Sequence, residues 1–262
     1  MAIDCANSRL VVTPLHADLS AMTACTMMAW IQVDSYSEGR ILNLDKVDTA
    51  SFYLTIVPGT PNRLRMYVRY SSTATYGDAA APAVGVWVHA CGRWRHVEGD
   101  PSASRPDVFI NGLDATSWRQ TPSGTLVNAA TRLCLANNST STRPFDGKMA
   151  DAVVFNRRLS DSEIRAIAQG RIRPTGLGPV FHMPLEGSSG VAAIGDVGLR
   201  DLTDRGGHVV WIDNAPSYYR DPPLHWPMGP QAIRYAGRTT RNARPTMNVA
   251  AGTKLATMRR AV

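Results

Sequence analysis

The side chains that could do chemistry in this chain stand at spacings that match no familiar catalytic motif. Its six histidines are scattered, and it has no G-x-S-x-G elbow, P-loop, H-E-x-x-H or dinucleotide-binding fingerprint. His89 and His96 flank Trp94 in an apolar stretch. A lone histidine in a strand more often packs against its neighbours than acts as a ligand or base. The sequence therefore predicts no catalytic residue.

The four cysteines also argue against a metal centre. Cys5, Cys25, Cys91 and Cys134 are far apart and form neither a C-x-x-C motif nor a paired Cys/His spacing. We expect them to be reduced thiols, as is usual in a cytosol.

The net charge of +7 is concentrated at the C-terminus. Seven of the 28 basic residues lie in residues 222–262, which contain no Asp or Glu, and the other 21 match the chain's 21 acidic residues. This segment is rich in Pro, Gly, Arg and small residues and cannot form its own core. We expect a basic extended arm that becomes ordered on neighbouring subunits, through Trp226, Arg234, Tyr235, Arg238, Arg241, Arg244, Lys254, Arg259 and Arg260.

Nucleic acid and membrane are poor candidates for partners. The cations of the arm are dispersed and have no interleaved aromatic residues, which disfavours nucleic-acid binding. The chain has no apolar run of 18 residues, and "MAIDCANSRL" lacks the features of a signal peptide. We therefore expect synthesis in a cytosol without export.

Alternating hydrophobicity predicts the framework. In "RLRMYVRY", Leu64, Met66, Val68 and Tyr70 face one way, while the other face carries Arg63, Arg65, Tyr67 and Arg69. The turn "PGTPN" joins this strand to a strand at 51–57 in a predicted hairpin. Further strands are predicted at 26–33, 86–95, 107–110, 132–136 and 149–155. Many short strands separated by turns indicate a sandwich or barrel.

One short helix is predicted after these strands. Ser160 can cap its start, Glu163 completes a capping box, and Leu159 and Ile164 are spaced as a hydrophobic staple. The helix should end at Gly170. A helix of about nine residues is marginally stable alone, so we expect it to lie against the sandwich.

Four segments carry a family resemblance. "MTACTMMAWIQV", "GVWVHACGRWR", "DVFINGLDAT" and "FDGKMADAVVFNRRLSDSEI" resemble, in the same order, the opening strand, the W-x-H strand, the N-G hairpin and the closing block of concanavalin A-like, laminin-G-like jelly rolls. The resemblance covers roughly residues 8–170. The following segment is similar to an extra strand pair found in some bacterial and bacteriophage versions of this domain.

The resemblance implies an all-β fold, a two-sheet antiparallel jelly-roll sandwich with one short helix and an extended C-terminal arm. It divides the chain into a laminin-G-like jelly roll at 1–175, an additional strand pair at 176–221 that completes or extends the sandwich, and the arm at 222–262.

Some members of the resembled family are enzymes, but this chain lacks the residues that such an activity would need. Glycan-cleaving enzymes of this fold need two carboxylates on one strand face, typically E-x-D-x-E, and no such spacing occurs. Asp151 and Glu163 suit a strand face and a helix cap. Members of the family often bind calcium, and Asp34, Asp45, Asp48 and Asp78 lie in plausible loops without forming a recognisable ligand set. We expect no enzyme activity and no cofactor, with calcium left open.

Two functions remain. The first is a non-enzymatic bacteriophage structural protein in the virion, a capsid decoration or a capsid- or tail-attached component whose arm binds other virion proteins in a multi-copy or homo-oligomeric assembly. The alternative is a lectin-like adhesin for host attachment. In that case Tyr36, Tyr76 and Trp118 are candidates to contact glycans, because an aromatic ring stacks on the apolar face of a sugar.

Overall fold

The computed structural model describes residues 2–5, 10–12, 19–46, 49–183, 202–204 and 210–212. Within them the chain forms one α-helix, α1 (Asp161–Ala168), a 3₁₀ helix at Pro174–Leu177 and sixteen strands. The strands are β1 (Ala2–Asp4), β2 (Leu10–Val12), β3 (Ala24–Val33), β4 (Gly39–Lys46), β5 (Thr49–Val57), β6 (Arg63–Val68), β7 (Thr75–Ala80), β8 (Trp87–Arg95), β9 (Asp107–Ile110), β10 (Leu113–Asp114), β11 (Trp118–Gln120), β12 (Arg132–Leu135), β13 (Gly147–Phe155), β14 (Phe181–Met183), β15 (Leu202–Asp204) and β16 (Val210–Ile212).

The strands form two antiparallel sheets. Sheet A has the order β10-β9-β8-β3-β13-β1-β16, with β14 also paired to β13. Sheet B has the order β11-β7-β6-β5-β4-β12-β2-β15. The predicted all-β, two-sheet jelly-roll class with one short helix is confirmed for the described residues.

The core lies between the sheets and follows the strand alternation. In β6, Leu64, Met66 and Val68 are fully buried in it, while the residues between them are half-buried. Met27 of β3 and Trp94 of β8 reach the same core from sheet A. Each sheet therefore turns one face inward and one outward.

Helix α1 covers part of the outer face of sheet A. Ile164, Ile167 and Ala168 are buried on one side of the helix. The β9–β10 turn at Asn111-Gly112 has positive φ at both residues, and a Cβ on Gly112 would lie 2.8 Å from the Cα of Arg165. The segment before the helix also binds β3, since Thr26 Oγ1 donates to the carbonyl of Arg157 at 2.8 Å and accepts from the Leu159 N–H at 3.0 Å.

The predicted capping box is confirmed. Ser160 Oγ accepts from the Glu163 backbone N–H at 3.2 Å, and the Ser160 N–H donates to Glu163 Oε2 at 2.7 Å. Arg157 Nη2 donates to the other Glu163 oxygen at 2.8 Å. This bond, opposed by partial burial, lowers the pKa of Glu163 to about 2.

A buried carboxylate, Asp107 of β9, gathers three arginines from separate parts of the chain. Arg93 of β8 donates to it at 2.9 Å, Arg119 of β11 at 2.8 Å, and Arg158 before α1 at 2.6 Å. Burial raises the pKa of Asp107, but these hydrogen bonds outweigh burial and hold the pKa below its ordinary value. Because Arg119 belongs to sheet B, the cluster joins the two sheets and the helix segment.

The same edge of the sandwich is closed by backbone contact. A Cβ on Gly77 of β7 would lie 2.4 Å from the carbonyl oxygen of Pro106, the residue before β9. Only glycine allows the two sheets to approach this closely here. The contact and the Asp107 cluster together position β11, on which Trp118 lies.

The predicted strands and hairpin occur at the expected places, with ends shifted by a few residues. β4 and β7 were not predicted. As a result the loop assignment of Asp45 and Asp78 is wrong: both lie within strands, and both are buried. Both strands have interrupted alternation, since β4 contains two register shifts and β7 contains a glycine.

Asp151 lies at an irregularity of β13. Its φ of 50° marks the place where the register with β3 shifts, and it separates the part of β13 that pairs with β1 from the part that pairs with β14. Its carboxylate lies 2.6 Å from Nε2 of the buried His182. Asp151 therefore contacts His182 within the fold, and it lies at a bulge and not on a regular strand face as expected.

Residues 176–221 contain the three short strands β14, β15 and β16. β14 and β16 join sheet A, and β15 joins sheet B. The division of the chain at 175 and 221 stays a prediction. The arm at 222–262 lies outside the described residues.

Replacing Glu163 with Ala is expected to lower the free energy of unfolding by about 0.5–2 kcal/mol, the usual effect of losing a helix cap. The pKa of Glu163 is lowered from 4.5 to about 2, so its stabilisation is present above pH 4.5 and is lost as the pH falls toward 2. Urea denaturation from pH 7 to pH 2 measures this. Glu98→Ala, which removes a carboxylate that is 96% exposed, is the control. A Glu163→Ala deficit that did not shrink with falling pH would contradict the assignment.

Replacing Asp107 with Asn is expected to destabilise the fold by about 3–5 kcal/mol, because it leaves buried arginine donors without their charge partner. Asp114→Asn is the matched control, since that carboxylate is 43% exposed and lies 3.5 Å from the same Arg119. Thermal and urea unfolding of both variants give the comparison. Equal midpoints for the two would show that the cluster does not hold the sheets together.

Candidate functional site

The outer face of sheet B carries an unusual set of aromatic and basic side chains. Because Phe52, Leu54 and Ile56 of β5 face the core, Tyr53 and Thr55 face outward. The same alternation on β6 directs Arg65 and Tyr67 outward.

Two tyrosines stack across neighbouring strands. Tyr53 and Tyr67 are directly paired in the register of β5 and β6, with ring centroids 4.3 Å apart and planes 6° from parallel. The guanidinium carbon of Arg40 lies 3.4 Å from the centroid of the Tyr53 ring. Both faces of that ring are therefore occupied, one by a cation and one by an aromatic ring.

A second stack continues toward the edge of the sheet. The guanidinium carbon of Arg65 lies 3.7 Å from the centroid of Tyr76 on β7. Trp118 on β11 lies 4.9 Å from Tyr76, with the rings tilted by 41°. We call Arg40, Tyr53, Tyr67, Arg65, Tyr76 and Trp118 the aromatic ladder; it runs across β4, β5, β6, β7 and β11.

The stacking determines which surfaces the ladder offers. Paired strands are about 4.8 Å apart, so a face-to-face stack of Tyr53 on Tyr67 stands both rings on edge relative to the sheet. Both rings point away from the core, but Tyr53 is only 9% exposed, while Tyr67 is half-buried. Burial raises the pKa of Tyr53 to about 12 although Arg40 opposes this, so Tyr53 remains a neutral phenol. Trp118 is different, because it is 47% exposed.

An ion pair fixes the orientation of Arg65. Its Nε and Nη2 donate to the two oxygens of Asp78 at 2.7 and 2.8 Å, and Arg63 Nη1 donates to the same carboxylate at 3.2 Å. Asp78 is 1% exposed. A carboxylate held by both oxygens is rigid, so it holds Arg65 over Tyr76 and Tyr76 beside Trp118.

The structure brings together two of the three aromatic residues selected from the sequence. Tyr76 and Trp118 are neighbours in the ladder. Tyr36 lies elsewhere, since its ring packs against the sandwich core and its hydroxyl donates to the carbonyl of Pro82 at 2.8 Å. Glycan contact by any of the three stays a prediction.

The residues chosen for the partner-binding arm, Trp226 to Arg260, all lie outside the described residues. Their role stays a prediction.

The candidate calcium ligands are dispersed or engaged. Asp34 pairs with Lys148 at 2.8 Å, and Asp78 is held by arginines. Asp48 lies outside the described residues. No group of three or more His, Cys, Asp or Glu side chains that could hold a metal occurs in the part of the chain that the structure describes.

His89, His96 and the four cysteines pack against or bond to neighbouring side chains, or are buried. His89 is buried, its ring lies 5.4 Å from that of Trp30, and burial lowers its pKa to about 3. His96 Nδ1 lies 2.9 Å from the hydroxyl of Tyr70, and its Nε2 lies 3.1 Å from Glu98. All four cysteines are buried, and none forms a disulfide. Among the described residues, no helix is long and apolar enough to cross a membrane.

Sequence reasoning missed most of the ladder. The pattern "RLRMYVRY" assigned Arg65 and Tyr67 to one face, which is correct, but gave no partner for either. Tyr53 and Arg40 lie in other strands, and only the pairing of β4, β5 and β6 brings them together. Alternation in "SFYLTIV" was the one signal that could have placed Tyr53 on the outer face.

Comparisons with solved structures find the same fold. A heptameric pentraxin from Limulus polyphemus is similar over 78% of this chain and 87% of its own, at 15% identity and a TM-score of 0.52. A putative carbohydrate binding protein from Bacteroides ovatus is similar over 78% of this chain and 59% of its own, at 16% identity and a TM-score of 0.55. These identities establish a shared fold alone. No curated protein sequence matches the chain.

The family is established by a sequence model that spans more than half of the chain. The concanavalin A-like lectin/glucanases superfamily model matches residues 6–165. That range contains the whole aromatic ladder and the capped start of helix α1. The chain therefore belongs to the concanavalin A-like lectin/glucanases superfamily, as the resemblance of its four segments indicated.

Proposed function

We propose that this protein binds carbohydrate through the aromatic ladder on the outer face of sheet B. The observation that carries the proposal is Trp118: it is 47% exposed at the end of the ladder and is supported by Tyr76. An indole presented in this way can stack on the apolar face of a pyranose. The tyrosine hydroxyls and arginine N–H groups beside it can form hydrogen bonds with sugar hydroxyls.

The rigidity of the site supports this proposal. Tyr76 is contacted by Arg65, which Asp78 holds with two hydrogen bonds. Trp118 is anchored from the other side, because its neighbour Arg119 is bound to Asp107. A side chain already held in place loses little conformational entropy when a ligand binds.

The family adds general support. The superfamily includes lectins by name, and the Bacteroides ovatus structure with the same fold is described as a putative carbohydrate binding protein. Since a shared fold does not establish function, the proposal depends on the ladder.

Replacing Trp118 with Ala is expected to weaken glycan binding about tenfold, equivalent to ~1.4 kcal/mol, because the stacking surface is lost. A printed array of neutral and acidic oligosaccharides identifies ligands, and calorimetry measures the affinity of the strongest. Thermal stability should change little, since the side chain is half exposed.

Trp87→Ala is the matched control, because it removes an indole from a strand of sheet A. It should leave the affinity unchanged. Equal binding by wild-type protein and Trp118→Ala would place the glycan site away from the ladder.

We also propose that binding occurs without turnover. Glycan cleavage by a carboxylate pair requires one free acid and one free base about 5–9 Å apart. On the described part of this face, Asp78 is neutralised by Arg63 and Arg65, and Asp45 accepts from Asn43 and from the Ser139 backbone. Both carboxylates are also buried, at 2% and 1% exposure for Asp45 and Asp78.

The purified protein is therefore expected to release no reducing sugar from any glycan that it binds. Incubation with the array ligands, followed by a reducing-end assay against a boiled sample, measures this. Release above the boiled sample that disappeared in Asp78→Asn would overturn the non-enzymatic reading.

The virion role stays a prediction. It depends on the charge and composition of residues 222–262, which lie outside the described residues. The pentraxin of the same fold is a heptamer, but a multi-copy assembly of this chain, attachment to capsid or tail subunits, and location in a bacteriophage particle remain untested expectations. Glycan binding is compatible with them, since a virion protein that binds host glycans would serve host attachment.

A further inference from the structure

We infer that the outer face of sheet B selects glycans that carry carboxylate groups. This inference rests on the proposed glycan binding and specifies its ligand. It is based on the number, position and partners of the arginines around the ladder. Binding of a neutral sugar would not require these arginines.

Five arginines lie on this face, against two aspartates among the described residues. The three ladder tyrosines form a row, since Tyr53 pairs with Tyr67 and Tyr67 pairs with Tyr76. On one side of the row the outward positions carry Arg40, Arg63 and Arg65. On the other side they carry Arg69 and Arg132. Arg69 faces outward because its neighbours Val68 and Tyr70 face the core, and Arg132 faces outward because its neighbour Leu133 does. The aspartates are Asp45 and Asp78.

Arginines on the two sides of the row differ in their partners. Arg65 and Arg63 are bound to Asp78, and Arg40 lies 3.6 Å from Glu38. The side chains of Arg69 and Arg132 have no hydrogen bond or ion pair within the described part of the chain, and both are half-buried. Arg132 lies opposite Asp45 in the pairing of β12 with β4, but no hydrogen bond or ion pair joins the two side chains. A partly buried guanidinium that no carboxylate binds is costly, and an incoming anion would relieve this cost.

The face itself shows how a carboxylate is held here. Arg65 binds Asp78 through two parallel N–H···O bonds of 2.7 and 2.8 Å. The planar guanidinium fork matches the two oxygens of a carboxylate in this way. Arg69 and Arg132 can offer the same fork to carboxylates of an oligosaccharide whose other units reach Trp118 and the tyrosines, since β12 lies five strands from β11 in sheet B.

The test uses pairs of oligosaccharides that differ only in whether the carboxyl group is free or methyl-esterified, made from galacturonate, glucuronate and sialate. Calorimetry with the full chain is expected to show the free acid binding at least roughly tenfold more tightly than its ester at low salt. The difference should narrow in 0.5 M NaCl, because salt screens partly exposed charges.

The double variant Arg69→Gln/Arg132→Gln should remove most of this difference, because it weakens binding of the free acid much more than binding of the ester. Neither arginine takes part in an ion pair of the described residues, so the variant should fold normally, which circular dichroism and thermal unfolding check. Arg165→Gln, an exposed arginine on α1 next to sheet A, is the charge-matched control and should behave as wild type.

The outcomes separate the two proposals. Equal affinities for acid and ester, or tighter binding of a sulfated analogue than of the carboxylate, would overturn the selectivity while Trp118-dependent binding still supported the proposed function. Retention of the acid preference in the double variant would also overturn it. An absence of any glycan binding would overturn both.

Discussion

The carboxylate of Asp107 is the interaction on which the arrangement of this sandwich depends. It lies on β9 of sheet A and is bound by Arg93 on the next strand, by Arg158 before the helix and by Arg119 on β11 of sheet B. One buried charge thus joins both sheets and the helix segment at a single edge. Burial of a charge is unfavourable unless it is paired, and three guanidinium groups meet that requirement here. Because Trp118 is adjacent to Arg119, the same charge positions the exposed end of the candidate site.

The candidate site follows from strand order. Sheet B places β4, β5, β6, β7 and β11 side by side, so one outward residue from each strand can meet its neighbour across the sheet. Tyr53 and Tyr67 stack because they are opposite in register, and Arg40 covers the other face of Tyr53. Tyr53 is 9% exposed, Tyr67 and Tyr76 are half-buried, and Trp118 is 47% exposed at the end of the row.

Much of the framework was readable from the sequence. Strands with strict alternation, such as β6, and strands next to clear turns, such as β9 before Asn111-Gly112, occur where the pattern predicted them. The capping box at Ser160 and Glu163 was also predictable, because it is local. β4 and β7 were not predicted, since a bulge and a glycine interrupt their alternation. For that reason Asp45 and Asp78 were assigned to loops although both are buried strand residues.

The sequence by itself determined the all-β class, the helix cap, the outward face of β6 and the absence of familiar catalytic motifs, because each depends on residues close together along the chain. Only the tertiary structure decided which outward residues meet. Arg40, Tyr53, Tyr76 and Trp118 come from strands spread over about eighty residues, and the separation of Tyr36 from Tyr76 was equally invisible in the sequence. The physical reason is that cross-strand contacts depend on pairing order and register, and these are set by the burial of the whole core, not by any local pattern.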